Sequence, residues 1–173
     1  ARVFKSALLA ADIDGQLVVT DLCRALANTG EDMWDVDDYM SFIIPRFYFP
    51  SPIFADYRID IPQRFPFCVL LRYLIAKHRV DGYASITLDQ VFAILIGNEC
   101  YGIESDAYYL KLQETGYSPS GDERRQVREL LTFISQSSFL KAYGGIVYVD
   151  VLAGDIDTLE RLWTMATPRI KDR

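Results

Sequence analysis

The chain has 173 residues, 50% hydrophobic and 24% charged, which is ordinary globular composition and enough length for one large domain or two small ones. Its net charge of -6 argues against a generic polyanion binder, because non-specific affinity for nucleic acid comes from neutralising phosphates. No run approaches the uncharged apolar length of a membrane span, and no secretory signal stands at the N-terminus.

In chain order, Phe4, Ala7 and Leu8 read as the tail of a helix, Ile13-Asp14-Gly15-Gln16 as a turn and Leu17-Val18-Val19 as a strand. Thr20 then caps a short helix over residues 21–27. Residues 31–38 form an acidic connector, with Asp32, Asp35, Asp37 and Asp38 around Met33 and Trp34. It lacks the regular alternation of oxygen ligands, the glycine and the terminal Glu of a calcium loop, so a solvated loop or helix end is expected. Pro45, Pro50, Pro52, Pro62 and Pro66 forbid a long helix or an inner strand over residues 41–66. With Tyr48, Phe49, Tyr57 and Phe65 it is too apolar for a disordered linker, and reads as an extended segment packed on a core and the natural boundary between two halves. A small-ligand or modified-base pocket lined by those four aromatics is the weaker reading, since aromatics in such a setting are more often core.

Residues 67–77 give the clearest helix, with Phe67, Leu70, Leu71, Leu74 and Ile75 as its apolar stripe and Arg64, Arg72, Lys77, His78 and Arg79 around it. Asp81-Gly82-Tyr83 turns the chain, and Ile86 marks a short strand. Thr87 with Gln90 has capping-box spacing and opens a helix over residues 88–96, ended by Gly97-Asn98. A further amphipathic helix is expected over residues 105–115, with Tyr108, Tyr109 and Leu112 prominent.

Ser120 with Glu123 forms another capping box, and Val127, Leu130, Leu131 and Ile134 recur at helical spacing, so one face of residues 122–136 should meet a core. The other faces carry Arg124, Arg125, Arg128, Thr132, Ser135 and Gln136. The period then changes: Phe139-Leu140, Gly144-Gly145 and Ile146-Val147-Tyr148-Val149 read as a hairpin around a glycine turn. Asp157 and Glu160 have capping spacing for a last helix over residues 157–165. The fold class expected is α+β, mainly α: a winged helix-turn-helix, in tandem with a truncated N-terminal copy, since helix, tight hairpin and second helix recur near both ends. The divisions are residues 1–40 for the end of a first unit, 41–66 for the connector and 67–173 for a second domain closed by the C-terminal helix.

The residues permit little catalysis. His78 is the single histidine, which eliminates a multi-histidine metal site, and a histidine after a basic helix reads as polar surface. Cys23, Cys68 and Cys100 are odd in number, far apart and set among apolar neighbours, as buried reduced thiols of a cytoplasmic protein would be. Gly97, Gly102, Gly144 and Gly145 match neither the phosphate loop nor the dinucleotide fingerprint. Val3, Ile75, Tyr109, Phe139 and Arg169 stand two residues before the five lysines, where a restriction-type nuclease site wants a carboxylate. No catalytic residue, metal ligand or cofactor is therefore assigned.

The passage Phe4-Lys5-Ser6-Ala7-Leu8 through Leu17-Val18-Val19-Thr20-Asp21-Leu22, with Thr20, Asp21, Ala25 and Leu26 matching a T-D-x-x-x-A-L pattern, resembles the DNA-recognition regions of modular restriction endonucleases. Residues 128–149 resemble the later helix-and-wing passage of the same regions. The resemblance covers about half the chain, at the level of pattern. It implies a specificity module, sequence- or modification-specific, joined to a nuclease domain outside this chain, with double-stranded DNA as its partner.

On that reading the helix over residues 122–136 enters the major groove, where arginine bonds guanine bidentately and glutamine adenine. The candidate contacts are Arg124, Arg125, Arg128 and Gln136, with Lys141 and Tyr143 of the wing on phosphate or in the minor groove. The bland alternative for the arginines is a solvated face balanced by Asp122, Glu123 and Glu129. The rival function is a winged-helix protein-interaction or dimerisation module, favoured by the charge: residues 1–60 hold ten acids against five bases, leaving fourteen against thirteen in residues 61–173. Its partner would be a second copy or another domain of the parent chain, and no membrane is involved. The chain starts at Ala1 as if inside a helix, which reads as a piece of something longer.

Overall fold

Pro66 starts the longest helix and Gly82 stops it, each for a backbone reason. Proline suits the first helical turn, where its missing N–H has no partner to lose. Gly82 takes φ +69° and donates its N–H to the His78 carbonyl at 2.8 Å, a left-handed helix cap. The computed structural model describes residues 8–28, 35–50, 60–118 and 120–169.

The elements within it run β1 (Ala10–Ile13), β2 (Gln16–Val19), α1 (Asp21–Asn28), α2 (Val36–Ile43), a 3-10 turn (Ile44–Arg46), α3 (Pro66–Asp81), β3 (Ser85–Thr87), α4 (Leu88–Gly97), α5 (Asp106–Tyr109), α6 (Gly121–Ile134), β4 (Leu140–Tyr143), β5 (Ile146–Val149) and α7 (Ile156–Met165). The chain is thus α+β, with two small antiparallel sheets among the described residues: β1-β2, and a three-stranded sheet in the order β3-β5-β4.

Register explains why the second sheet packs. Leu140 pairs with Val149, and Val147 lies between Ile86 and Ala142, so Ile86, Leu140, Val147 and Val149 share one buried face. Lys141, Tyr143, Ile146 and Tyr148 alternate to the opposite face. The β4-β5 hairpin turns at Gly144-Gly145, as its sequence requires: φ is +58° and +79° there, conformations that a side chain resists. Asp14-Gly15 turns β1-β2 in the same way, with φ +52° and +76°.

The core is built around α3, which is buried from Pro66 through Ala76. Met40 and Ile43 of α2, and Ile44 and Phe47 after it, belong to the same buried cluster. Phe67 stacks on Phe133 of α6 at 5.2 Å and packs against Phe47 at 4.6 Å. Helix α2 therefore runs across residue 40, where the boundary of a first unit was expected, and its apolar side chains join the core of residues 67–173.

Four local expectations need correction. Residues 41–66 are not extended throughout: α2 continues to Ile43 and the 3-10 turn uses Pro45 near its start, where proline is tolerated. The helix expected over 105–115 shrinks to the single turn of α5. There Asn98 takes over the backbone beyond it, donating from Nδ2 to the Gln113 carbonyl at 2.9 Å and accepting the Gln113 N–H at 3.0 Å. The cap of α7 is Asp155, which accepts the Thr158 N–H at 3.1 Å, in place of Asp157 with Glu160. His78 is no surface residue: it is 3% exposed, because α3 is surrounded on nearly every side. Phe4, Ala7, Trp34 and Tyr57, and residues 31–34 of the acidic connector, lie outside the described residues.

Candidate nucleic-acid interface

Both capping boxes exist as their spacing implies. Thr87 accepts the Gln90 N–H at 3.3 Å while Gln90 accepts the Thr87 N–H at 2.9 Å, and Ser120 and Glu123 exchange the same two bonds at the start of α6. These boxes set where α4 and α6 begin. Arg124 on α6 then reaches Asp89 in the first turn of α4, Nη2 to Oδ1 at 2.9 Å, and ties the two helices together.

Between them residues 98–118 are pinned by half-buried charges. Arg64 donates to the carbonyls of Cys100, Leu95 and Asn98, satisfying the end of α4. Glu114 takes Lys77 of α3 at 2.8 Å and Gln90 of α4 at 3.1 Å. Burial raises the Glu114 pKa, but the bonds from Lys77, Tyr73 and Gln90 outweigh it and hold the carboxyl below its ordinary range. Glu104 accepts the N–H groups of Tyr101, Gly102 and Ile103 and the Tyr109 hydroxyl, the last at 2.6 Å. Residues 98–118 are thereby fastened to α3 and α4, and one face of α6 is left clear.

That face separates the candidate residues. Leu131 and Ile134 are buried and Val127 and Leu130 half-buried, so the apolar stripe faces inward as its spacing requires. Arg125, Arg128 and Gln136 are exposed, along with Gln126, Glu129 and Thr132. Arg125 is 3.9 Å from Asp122, an open pair in water. Arg128 has no charged or hydrogen-bonding partner among the described residues. Gln136 lies past the helical residues and folds back, Nε2 donating to the Thr132 carbonyl at 3.1 Å. Arg124 is half-buried and committed to Asp89.

On the hairpin, Lys141 is exposed and 3.6 Å from Asp150, and Tyr143 beside the glycine turn is 83% exposed. Glu123, one of the acids expected to balance the arginines, is spent on its own capping box, whose bonds from Ser120 lower its pKa.

Two residues of this surface were not singled out from sequence, Gln126 and Asp89. Helical periodicity finds the first, since Gln126 is one position past Arg125 and outside the apolar stripe. No local pattern reveals the second, because Asp89 meets Arg124 across 35 positions.

Elsewhere the described residues hold no group of three or more His, Cys, Asp or Glu side chains able to bind a metal. Burial pushes the Cys68 thiol up to about 12 and the Cys100 thiol up to about 11, far from a nucleophile's range. No described helix is long and apolar enough to cross a membrane. Comparison of the chain with protein-family models, curated proteins and solved structures found no match.

Proposed function

We propose that the chain is the DNA-recognition domain of a larger restriction-type endonuclease, reading double-stranded DNA by a sequence or base modification and non-catalytic in itself. In this reading α3, β3, α4, α6, β4 and β5 are a winged helix with an insertion between its second and third helices, and β1, β2 and α1 close a first, partial copy. The strand order β3-β5-β4 and the glycine-turned hairpin directly after α6 support it.

The observation that carries the proposal is the outward face of α6. Arg125 and Arg128 stand in solvent on a helix whose opposite face is locked into the core, with Gln136 exposed just past its end, next to a hairpin that presents Lys141 and Tyr143. Guanidinium and amide side chains so placed suit the donor and acceptor edges of the major groove. Arg124 serves this surface indirectly, by setting α6 against α4 through Asp89. The net charge of -6 favours the rival function, a winged-helix interaction module.

A binding series over salt on duplex DNA separates them, with Arg125→Ala, Arg128→Ala and Gln136→Ala singly and combined, and Arg124→Ala as comparison. A side chain that reads a base loses about 1–3 kcal/mol on the selected site and relaxes specificity there. One that touches phosphate weakens all sequences alike and flattens the salt slope by about one unit. Arg124→Ala should act more on folding than on discrimination. Equal DNA affinity of the combined variant and the parent chain, with the fold intact, would reject the recognition reading in favour of the interaction module.

A further inference from the structure

The turn after α3 and the loop after β5 meet at the end of the sheet remote from Gly144-Gly145. Ser85 pairs with Tyr148, and the Val149 N–H donates to the Ala84 carbonyl at 3.0 Å. A Cβ on Gly82 would stand 3.4 Å from that of Ala153. Beneath them His78 donates from Nε2 to the Val151 carbonyl at 3.0 Å. These contacts set residues 82–85 beside residues 148–153 at this end of the sheet.

Its apolar content is unusual for an open surface. Val80, Tyr83, Leu152 and Ile156 are 66%, 58%, 82% and 67% exposed, and Tyr83 stacks on Tyr148 at 6.4 Å. Exposed apolar residues scattered singly need no explanation, whereas a contiguous group marks an interaction site. In residues 80–84 and 148–157 Asp81, Asp150, Asp155 and Asp157 are exposed, and neither lysine nor arginine occurs. Asp150 leans on Lys141 and Asp155 caps α7, while Asp81 and Asp157 have no partner among the described residues.

We propose that this end of the sheet docks a basic amphipathic segment of a partner protein. Apolar side chains of the segment seat among Tyr83, Leu152 and Ile156, and its lysines or arginines reach Asp81 and Asp157. Charge selects this occupant. The carboxylates repel the phosphates of DNA and of anionic lipid, and a two-fold contact between two copies would bring the same acids face to face. The surface includes no residue of α6, so the inference stands apart from the DNA-recognition reading.

The test is a titration of the 173-residue chain with a short helical peptide of leucines and lysines, followed by amide NMR, with a leucine–glutamate peptide as control. Shifts confined to residues 80–84 and 148–157 are expected from the lysine peptide alone. Leu152→Ser with Ile156→Ser should weaken binding at least about tenfold, and Asp81→Asn with Asp157→Asn several-fold, with the salt dependence reduced. All four positions are exposed, so the fold should tolerate the changes. Absence of binding, shifts spread over other acidic surfaces, or unchanged affinity in the serine variant each overturns the proposal. Movement of the same resonances on simple dilution of the chain would assign the surface to a second copy and overturn it as well.

Discussion

Arg72 offers a severe test of how this core is held. It sits on α3, 6% exposed, and donates Nε to the Ala166 carbonyl at 2.9 Å, Nη1 to the Glu104 carbonyl at 3.1 Å and Nη2 to the Thr167 hydroxyl at 3.0 Å. Its guanidinium also lies 4.3 Å from the centre of the Trp163 ring. Arg72→Ala leaves the fully buried Ala166 carbonyl without its partner, which costs about 1–3 kcal/mol. Loss of the cation–π contact in a desolvated setting adds about 1–2 kcal/mol, and the vacated stem a similar cavity cost.

Water can reach Thr167, so that bond contributes little to the total. The expected loss is about 3–7 kcal/mol, a large part of the 5–15 kcal/mol by which a domain is usually stable. Arg79 is the control: it touches the same ring at 4.8 Å and pairs with Asp106 and Glu160, but in an exposed setting. Arg79→Ala should therefore cost no more than about 1 kcal/mol. Urea unfolding followed by tryptophan fluorescence measures both. Equal losses, or a loss under about 1 kcal/mol for Arg72→Ala, would refute the assignment of Arg72 as the polar anchor between α3, Glu104 and the residues after α7.

Three further outcomes are expected. Burial raises the Glu104 pKa, but the bonds from Tyr109 and the Tyr101 and Gly102 N–H groups hold it below the ordinary glutamate range. Its contribution to stability is therefore complete above the unfolded-chain pKa, near 4.3, and is lost as pH falls through the lower folded value; Glu104→Gln should flatten that acid limb in urea titrations. Gly145→Ala places a side chain at φ +79° with no atom within 4 Å of the new Cβ, so it should cost about 1–2 kcal/mol from backbone strain alone, read from thermal unfolding. In the native chain Cys23, half-buried on α1, should react first with a thiol reagent, while Cys68 and Cys100 should wait for unfolding; equal labelling rates would contradict their burial.

Patterns that act over a few residues were legible in the sequence. The capping boxes at Thr87 and Ser120, the stripe of α6 and the Gly144-Gly145 turn each rest on contacts three or four positions apart, or on a backbone angle that only certain residues accept. The outward placement of Arg125 and Arg128 follows from the same periodicity. What the tertiary structure decided are the cases where a distant partner overrides a local preference. Asn98 breaks the helix expected after Ser105 by binding both backbone groups of Gln113, and Asp89 withdraws Arg124 from the open face. Arg72 and His78 carry side chains that periodic reading assigns to water, yet both are buried because α3 is enclosed by elements from both ends of the chain. A local pattern records how a helix turns, whereas enclosure depends on which remote segments pack against it.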